Sequence, residues 1–193
     1  MRYPINVALA EVPVNDFPLL DDTDFKTRET AVAYNAAGMD LVWNFVGVDG
    51  SMTQTAVTPT TGGVYDWTHQ GDAIYSIEIP KSGGASINNN QIGKGWFSGV
   101  ATGVLPWKGP IVEFVLGGEI TGGTPTPTSF LCADLIGIGT DQVVDAFVVM
   151  LSGAALYAVK KITAFNNTTG AFTVNALPAT PSVGDRFYIL NGA

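Results

Sequence analysis

The residues able to do chemistry are few and scattered. One histidine, His69, and one cysteine, Cys132, stand in 193 residues. A Ser-His-Asp or Cys-His arrangement would have to use His69, because the nucleophile needs an imidazole to take its proton. His69 sits in Trp67-Thr68-His69-Gln70-Gly71, a loop-like context, and nothing around Cys132 resembles a nucleophile elbow or a cysteine-protease signature. His69 therefore reads as a surface or loop histidine. One His and one Cys also fall short of the four N or S ligands that a structural zinc ion takes.

Carboxylates offer more material but no clear geometry. Asp21-Asp22-Thr23-Asp24 alternates acidic oxygens as a calcium loop would. It lacks the turn glycine and the downstream bidentate glutamate, so a solvated acidic turn is the expectation. Asp66, Asp72, Glu78 and Glu113 could form a pair for glycoside cleavage, yet nothing in the sequence selects two of them. Gly93-Lys94-Gly95 lacks the spacing of a phosphate loop and reads as a β-turn. The overlapping sequons in Asn166-Asn167-Thr168-Thr169 read as turn residues. Of the four tryptophans, Trp43 lies in an alternating strand and belongs to a core. Trp67 and Trp107 sit beside turns and are the candidates for ligand or partner contact, a sugar face included. No catalytic residue, cofactor site or metal site is assigned.

Composition narrows the function classes. Hydrophobic residues make up 46% of the chain and charged residues 13%, enough to fill a core. The apolar surplus fits either buried subunit contacts or a well-filled core. Net charge is −8, with nine Lys and Arg and no basic run, which argues against direct nucleic-acid binding. A single cysteine permits no intrachain disulfide and fits assembly in a reducing cytoplasm. Asn6, Glu11, Asn15 and Asp16 interrupt any apolar signal core at the start. The longest apolar stretch, Ala146 to Val159, is broken by Ser152-Gly153 and falls short of the roughly 20 residues a membrane span needs. The expectation is a soluble protein with no membrane partner.

The elements that would position these residues are short strands. Leu41, Trp43 and Phe45 alternate on one face, as do Tyr75, Ile77 and Ile79 with Ser76 and Glu78 opposite. Trp96 to Val100 and Ile111 to Leu116 read as further strands. Asp49-Gly50, Gly62-Gly63, Ser82-Gly83-Gly84 and Lys108-Gly109-Pro110 supply turns. Gly117 to Thr128 reads as a Gly/Pro linker. The expected organisation is all-β: a sandwich or jelly-roll-like domain over 1–116, a linker over 117–128, and a small barrel-like module over 129–193. In the last, Lys161 to Phe165 and Ala171 to Asn175 form a hairpin about Asn166-Asn167-Thr168-Thr169-Gly170, and Arg186 to Leu190 is a closing strand. The stretch Asp141 to Leu156 is ambiguous: its Ala and Leu permit a helix, but Phe147 to Met150 followed by Ser152-Gly153 reads better as a buried strand and turn. The first 16 residues read equally as an extended arm or an edge strand.

The carboxy-terminal part resembles a module of tailed-phage structural proteins, present in head-decoration, head-fibre and tail-fibre chains. The matching residues are Asp145, Phe147, Val148-Val149, Ser152-Gly153, Ile162-Thr163-Ala164-Phe165-Asn166 and Thr169 to Val174. They continue through Pro178, Pro181, Gly184-Asp185, Phe187 and Ile189. Val149 or Met150 stands where such modules usually carry glycine. More loosely, Pro18 to Asp24, Gly63-Val64-Tyr65 and Ile74 to Pro80 are similar to amino-terminal segments of phage virion proteins. The resemblance implies a non-enzymatic virion component on the capsid exterior, assembled in the host cytoplasm. Its partners would be the major capsid protein and its own copies, as a homotrimer at local threefold positions. The alternative is a tail-fibre, adaptor or receptor-binding protein touching host glycan. No cofactor is implied.

Overall fold

The computed structural model describes residues 2–6, 16–81 and 84–190. It is all-β. The chain forms two compact units, Met1–Arg2 with Ala8–Phe114 and Tyr3–Val7 with Val115–Ala193.

Strand β1 (Arg2–Pro4) opens the chain, and the Arg2 guanidinium pairs with the Glu113 carboxylate at 2.8 Å. Residues 1 and 7–15 of the expected arm lie outside the described residues. The first unit holds β2 (Phe17–Pro18), β3 (Asp40–Gly47), β4 (Met52–Val57), β5 (Trp67–Gly71) and β6 (Ile74–Ile77). A four-residue helix α1 (Gly84–Ile87), β7 (Gly93–Ala101), β8 (Val104–Lys108) and β9 (Val112–Val115) follow. One sheet runs β9-β7-β3-β4 with β8 also on β7, and a smaller one runs β2-β6-β5. Leu41, Trp43 and Phe45 are buried on one face of β3, as alternation predicts. Ser76 departs from its expected exposure. It lies on the central strand of the small sheet, is 1% exposed, and accepts a hydrogen bond from the Gln70 amide.

Gly93-Lys94-Gly95 is not a turn but the start of β7. The alternating glycines of this strand make room for aromatic rings. A Cβ on Gly93 would strike Phe45, one on Gly95 would strike Trp43, and one on Gly99 would strike Trp107. Nothing in local composition distinguishes such clearance from turn chemistry, because the rings come from other strands.

The second unit holds β10 (Gly117–Glu119), β11 (Gly122–Thr126), β12 (Ser129–Leu131), β13 (Phe147–Met150), β14 (Val159–Asn166), β15 (Ala171–Val174) and β16 (Arg186–Leu190). Their order is β10-β16-β13-β14-β15-β12-β11, an open path rather than a closed barrel. The core is a phenylalanine stack. Phe130 and Phe172 lie parallel at 5.1 Å, and Phe187 meets both rings edge-on.

The segment 117–128 is no linker. Gly117 to Glu119 pairs with Tyr188 to Arg186, and β11 pairs with β12. Pro125 is tolerated because β11 is the outermost strand of its sheet and has one ladder to satisfy. The expected hairpin of β14 and β15 is present, with Phe165 opposite Phe172.

Candidate functional site

Trp67 and Trp107 are not exposed contacts. They are 6% and 9% accessible and form an aromatic cluster with Phe17 and Tyr75. Phe17 stacks flat on Trp107 at 4.0 Å, joining the small sheet to β8, and meets Trp67 edge-on at 5.6 Å. The Trp67 indole N–H donates to the Val32 carbonyl at 3.0 Å. A position beside a turn suggested exposure, but both residues lie within strands, β5 and β8, and the rings of Phe17 and Tyr75 pack on them. Trp96 is half-buried, with the Lys108 ammonium 4.6 Å from its ring centroid.

The other candidates are dispersed. His69 is exposed on β5 and stacks on Tyr75. The Asp21 carboxylate accepts from the Thr23 hydroxyl and from the backbone N–H groups of Thr23 and Asp24. The Asp24 carboxylate accepts from the Thr27 hydroxyl and from the N–H groups of Thr27 and Lys26. These donors hold both carboxyls below the usual range. Asp66 accepts from the Gly62 N–H, and Glu113 is held by Arg2. Among the described residues no group of three or more His, Cys, Asp or Glu could hold a metal ion, and no helix is long and apolar enough to cross a membrane. A 470 Å³ cleft in the first unit is bordered by Tyr34, Asn35, Asp40 and Thr58.

The module's landmark residues build two local clasps. Gly153, in the left-handed region at φ +76°, faces the buried Asp185 carboxylate, which leaves no space for a Cβ. That carboxylate accepts from the Ser182 N–H at 2.8 Å, and the Ser152 hydroxyl accepts from the Arg186 N–H at 2.8 Å. At the hairpin turn, the Asn166 side chain accepts from the N–H groups of Thr168 and Thr169. The Cys132 N–H donates to the Gly170 carbonyl, and a Cβ on Gly170 would strike the Cys132 carbonyl.

These clasps hold the sheet that carries an exposed apolar face. Cross-strand pairing places Phe147 opposite Leu190, and Val149 opposite both Tyr188 and Val159. Alternation turns these side chains to one side, where Val149 is itself buried, while Val148, Met150, Ile162, Phe187 and Ile189 fill the core on the other. Phe147 is 38% exposed, Leu190 39% and Val159 52%, with Leu156 and Tyr157 exposed at the turn between β13 and β14. Lys161, ion-paired to Asp145 at 2.8 Å, stands opposite Phe147 on the same face. The sequence reading missed this face. Its only signal was the odd-numbered apolar residues of a strand otherwise read as buried.

No protein-family model matches the chain, and no curated protein matches it.

Proposed function

We propose that the chain is a structural, non-catalytic virion protein of a tailed phage that decorates the capsid exterior. In this reading it binds the major capsid protein across capsomer junctions, with copies arranged as trimers at local threefold positions. The observation that carries the reading is the apolar face of Phe147, Val159 and Leu190 in the unit that bears the phage resemblance. Contiguous exposed apolar residues rimmed by polar ones mark protein interaction surfaces. A face built on paired strands is also rigid, so docking immobilises few backbone torsions. Repetition over the shell makes a modest single contact cumulatively strong.

The burial of Trp67 and Trp107 removes the tryptophans that favoured a glycan-contacting tail protein. The test is the copy number of the chain in purified particles relative to the major capsid protein, by quantitative peptide mass spectrometry. A simple lattice ratio is expected. A handful of copies would move the protein to the tail or neck, and its absence from particles would overturn the virion reading.

A further inference from the structure

Strand β4 is the outermost strand of its sheet, and its ladder to β3 is regular from Leu41–Val57 to Val46–Met52. The Gly47 N–H donates to the Ser51 carbonyl, which makes that pair a hydrogen-bonded one. Hydrogen-bonded and non-hydrogen-bonded pairs alternate in antiparallel sheet. Thr53, Thr55 and Val57 therefore spend their backbone groups on β3. Met52, Gln54 and Ala56 turn their N–H and C=O groups to the free edge.

The strand itself carries none of the usual protective residues. Its sequence, Met-Thr-Gln-Thr-Ala-Val, has no charge, no proline and no bulge. The Thr55 hydroxyl donates to the Ser86 carbonyl of α1, and the Thr53 hydroxyl accepts from the Asn88 amide just after that helix. Among the described residues no hydrogen bond reaches the outward backbone groups of Met52, Gln54 or Ala56.

We propose that β4 is a self-association edge that pairs antiparallel with β4 of a second copy about a two-fold axis through Gln54. The outward residues are symmetric about Gln54, so Met52 meets the partner's Ala56, Gln54 meets its own counterpart, and Ala56 meets the partner's Met52. Each of these pairs exchanges two backbone hydrogen bonds, and Thr53 falls beside the partner's Thr55, a favoured cross-strand pair. A second copy is the matching occupant because a two-fold contact is self-complementary by construction. The chain also carries net charge −8, and this uncharged strand lets two copies meet without setting like charges opposite each other. The inference stands on β4 alone and is independent of the virion reading. On a shell, the same contact would join neighbouring trimers across local two-folds.

Sedimentation equilibrium of the full chain over a wide concentration range tests it. The expected result is a reversible shift from 20.2 kDa to twice that mass. Gln54→Lys and Gln54→Glu each place like charges opposite each other at the axis and weaken self-association by about tenfold. Mixing the two variants restores it, an outcome that loss of folding could not produce. A wild-type mass that stays at one chain throughout, variants that associate like wild type, or a mixture that fails to recover would each overturn the proposal.

Discussion

Gly153 has no side chain because the Asp185 carboxylate fills the space a Cβ would need. The two residues are distant in sequence but adjacent across the sheet, since Leu151 donates its N–H to the Arg186 carbonyl just beyond them. Asp185 is itself 8% exposed and spends its oxygens on the Ser182 N–H and the Ser152 hydroxyl. Ser152-Gly153 and Gly184-Asp185 are thus one structural device, a buried polar clasp closing the sheet that bears the apolar face.

Gly153→Ala is expected to destabilise the protein by about 2–4 kcal/mol. The alanine would be strained at positive φ and would displace a buried, hydrogen-bonded carboxylate. Urea unfolding followed by far-ultraviolet circular dichroism measures this, and a change below about 0.5 kcal/mol, ordinary for a surface substitution, would contradict the clasp.

The two buried tryptophans should respond differently to the same truncation. Trp67→Phe loses volume and a made hydrogen bond to Val32, while the buried Trp107 indole N–H has no hydrogen-bond partner to lose among the described residues. Trp67→Phe is therefore expected to cost about 1–3 kcal/mol more than Trp107→Phe. Equal losses of stability would show that the Val32 bond contributes nothing.

Gly95→Val would push two γ-methyls as well as a Cβ into the Trp43 ring. Overpacking of this kind costs about 1–3 kcal/mol. A red-shifted tryptophan emission together with a lowered urea midpoint is the expected signature, and an unchanged midpoint would mean that the ring has somewhere to go.

Acid should loosen the 21–28 turn before it unfolds the sheets. Asp21 and Asp24 have lowered pKa values, chiefly through the Thr23 and Thr27 hydroxyls and then through backbone N–H donors. Their contribution is complete above the unfolded carboxylate value of about 3.9 and disappears as pH falls through the lower folded values. Amide proton shifts of Thr23 and Thr27 should titrate with these carboxyls, and shifts that stay flat under acid would rule the bonds out.

Val159→Asp changes a residue that is half exposed, so stability should move by about 0.5–1 kcal/mol, while Phe147→Asp, at a ring only 38% exposed, should cost about 1–2 kcal/mol. Under the proposed capsid role, particle occupancy should fall sharply for both. Full occupancy would place the docking face elsewhere.

Much of this structure follows from local pattern. The alternation of Leu41, Trp43 and Phe45 and of Tyr75, Ile77 and Ile79 specifies strands and their buried faces, because side-chain period alone sets which residues share a side. Asn166 to Gly170 specifies a hairpin because the Asn166 side chain takes the turn's own N–H groups and the glycine supplies its positive φ. What only the tertiary structure decided is pairing between segments remote in sequence. The Gly/Pro stretch 117–128 became strands because β16 and β12 supply ladders that no local signal announces. Trp67 and Trp107 went inside because Phe17 and Tyr75 converge on them from other strands. The faces left open, at β4 and along Phe147 and Leu190, were likewise set by strand order, since exposure depends on what else in the fold comes to cover a residue.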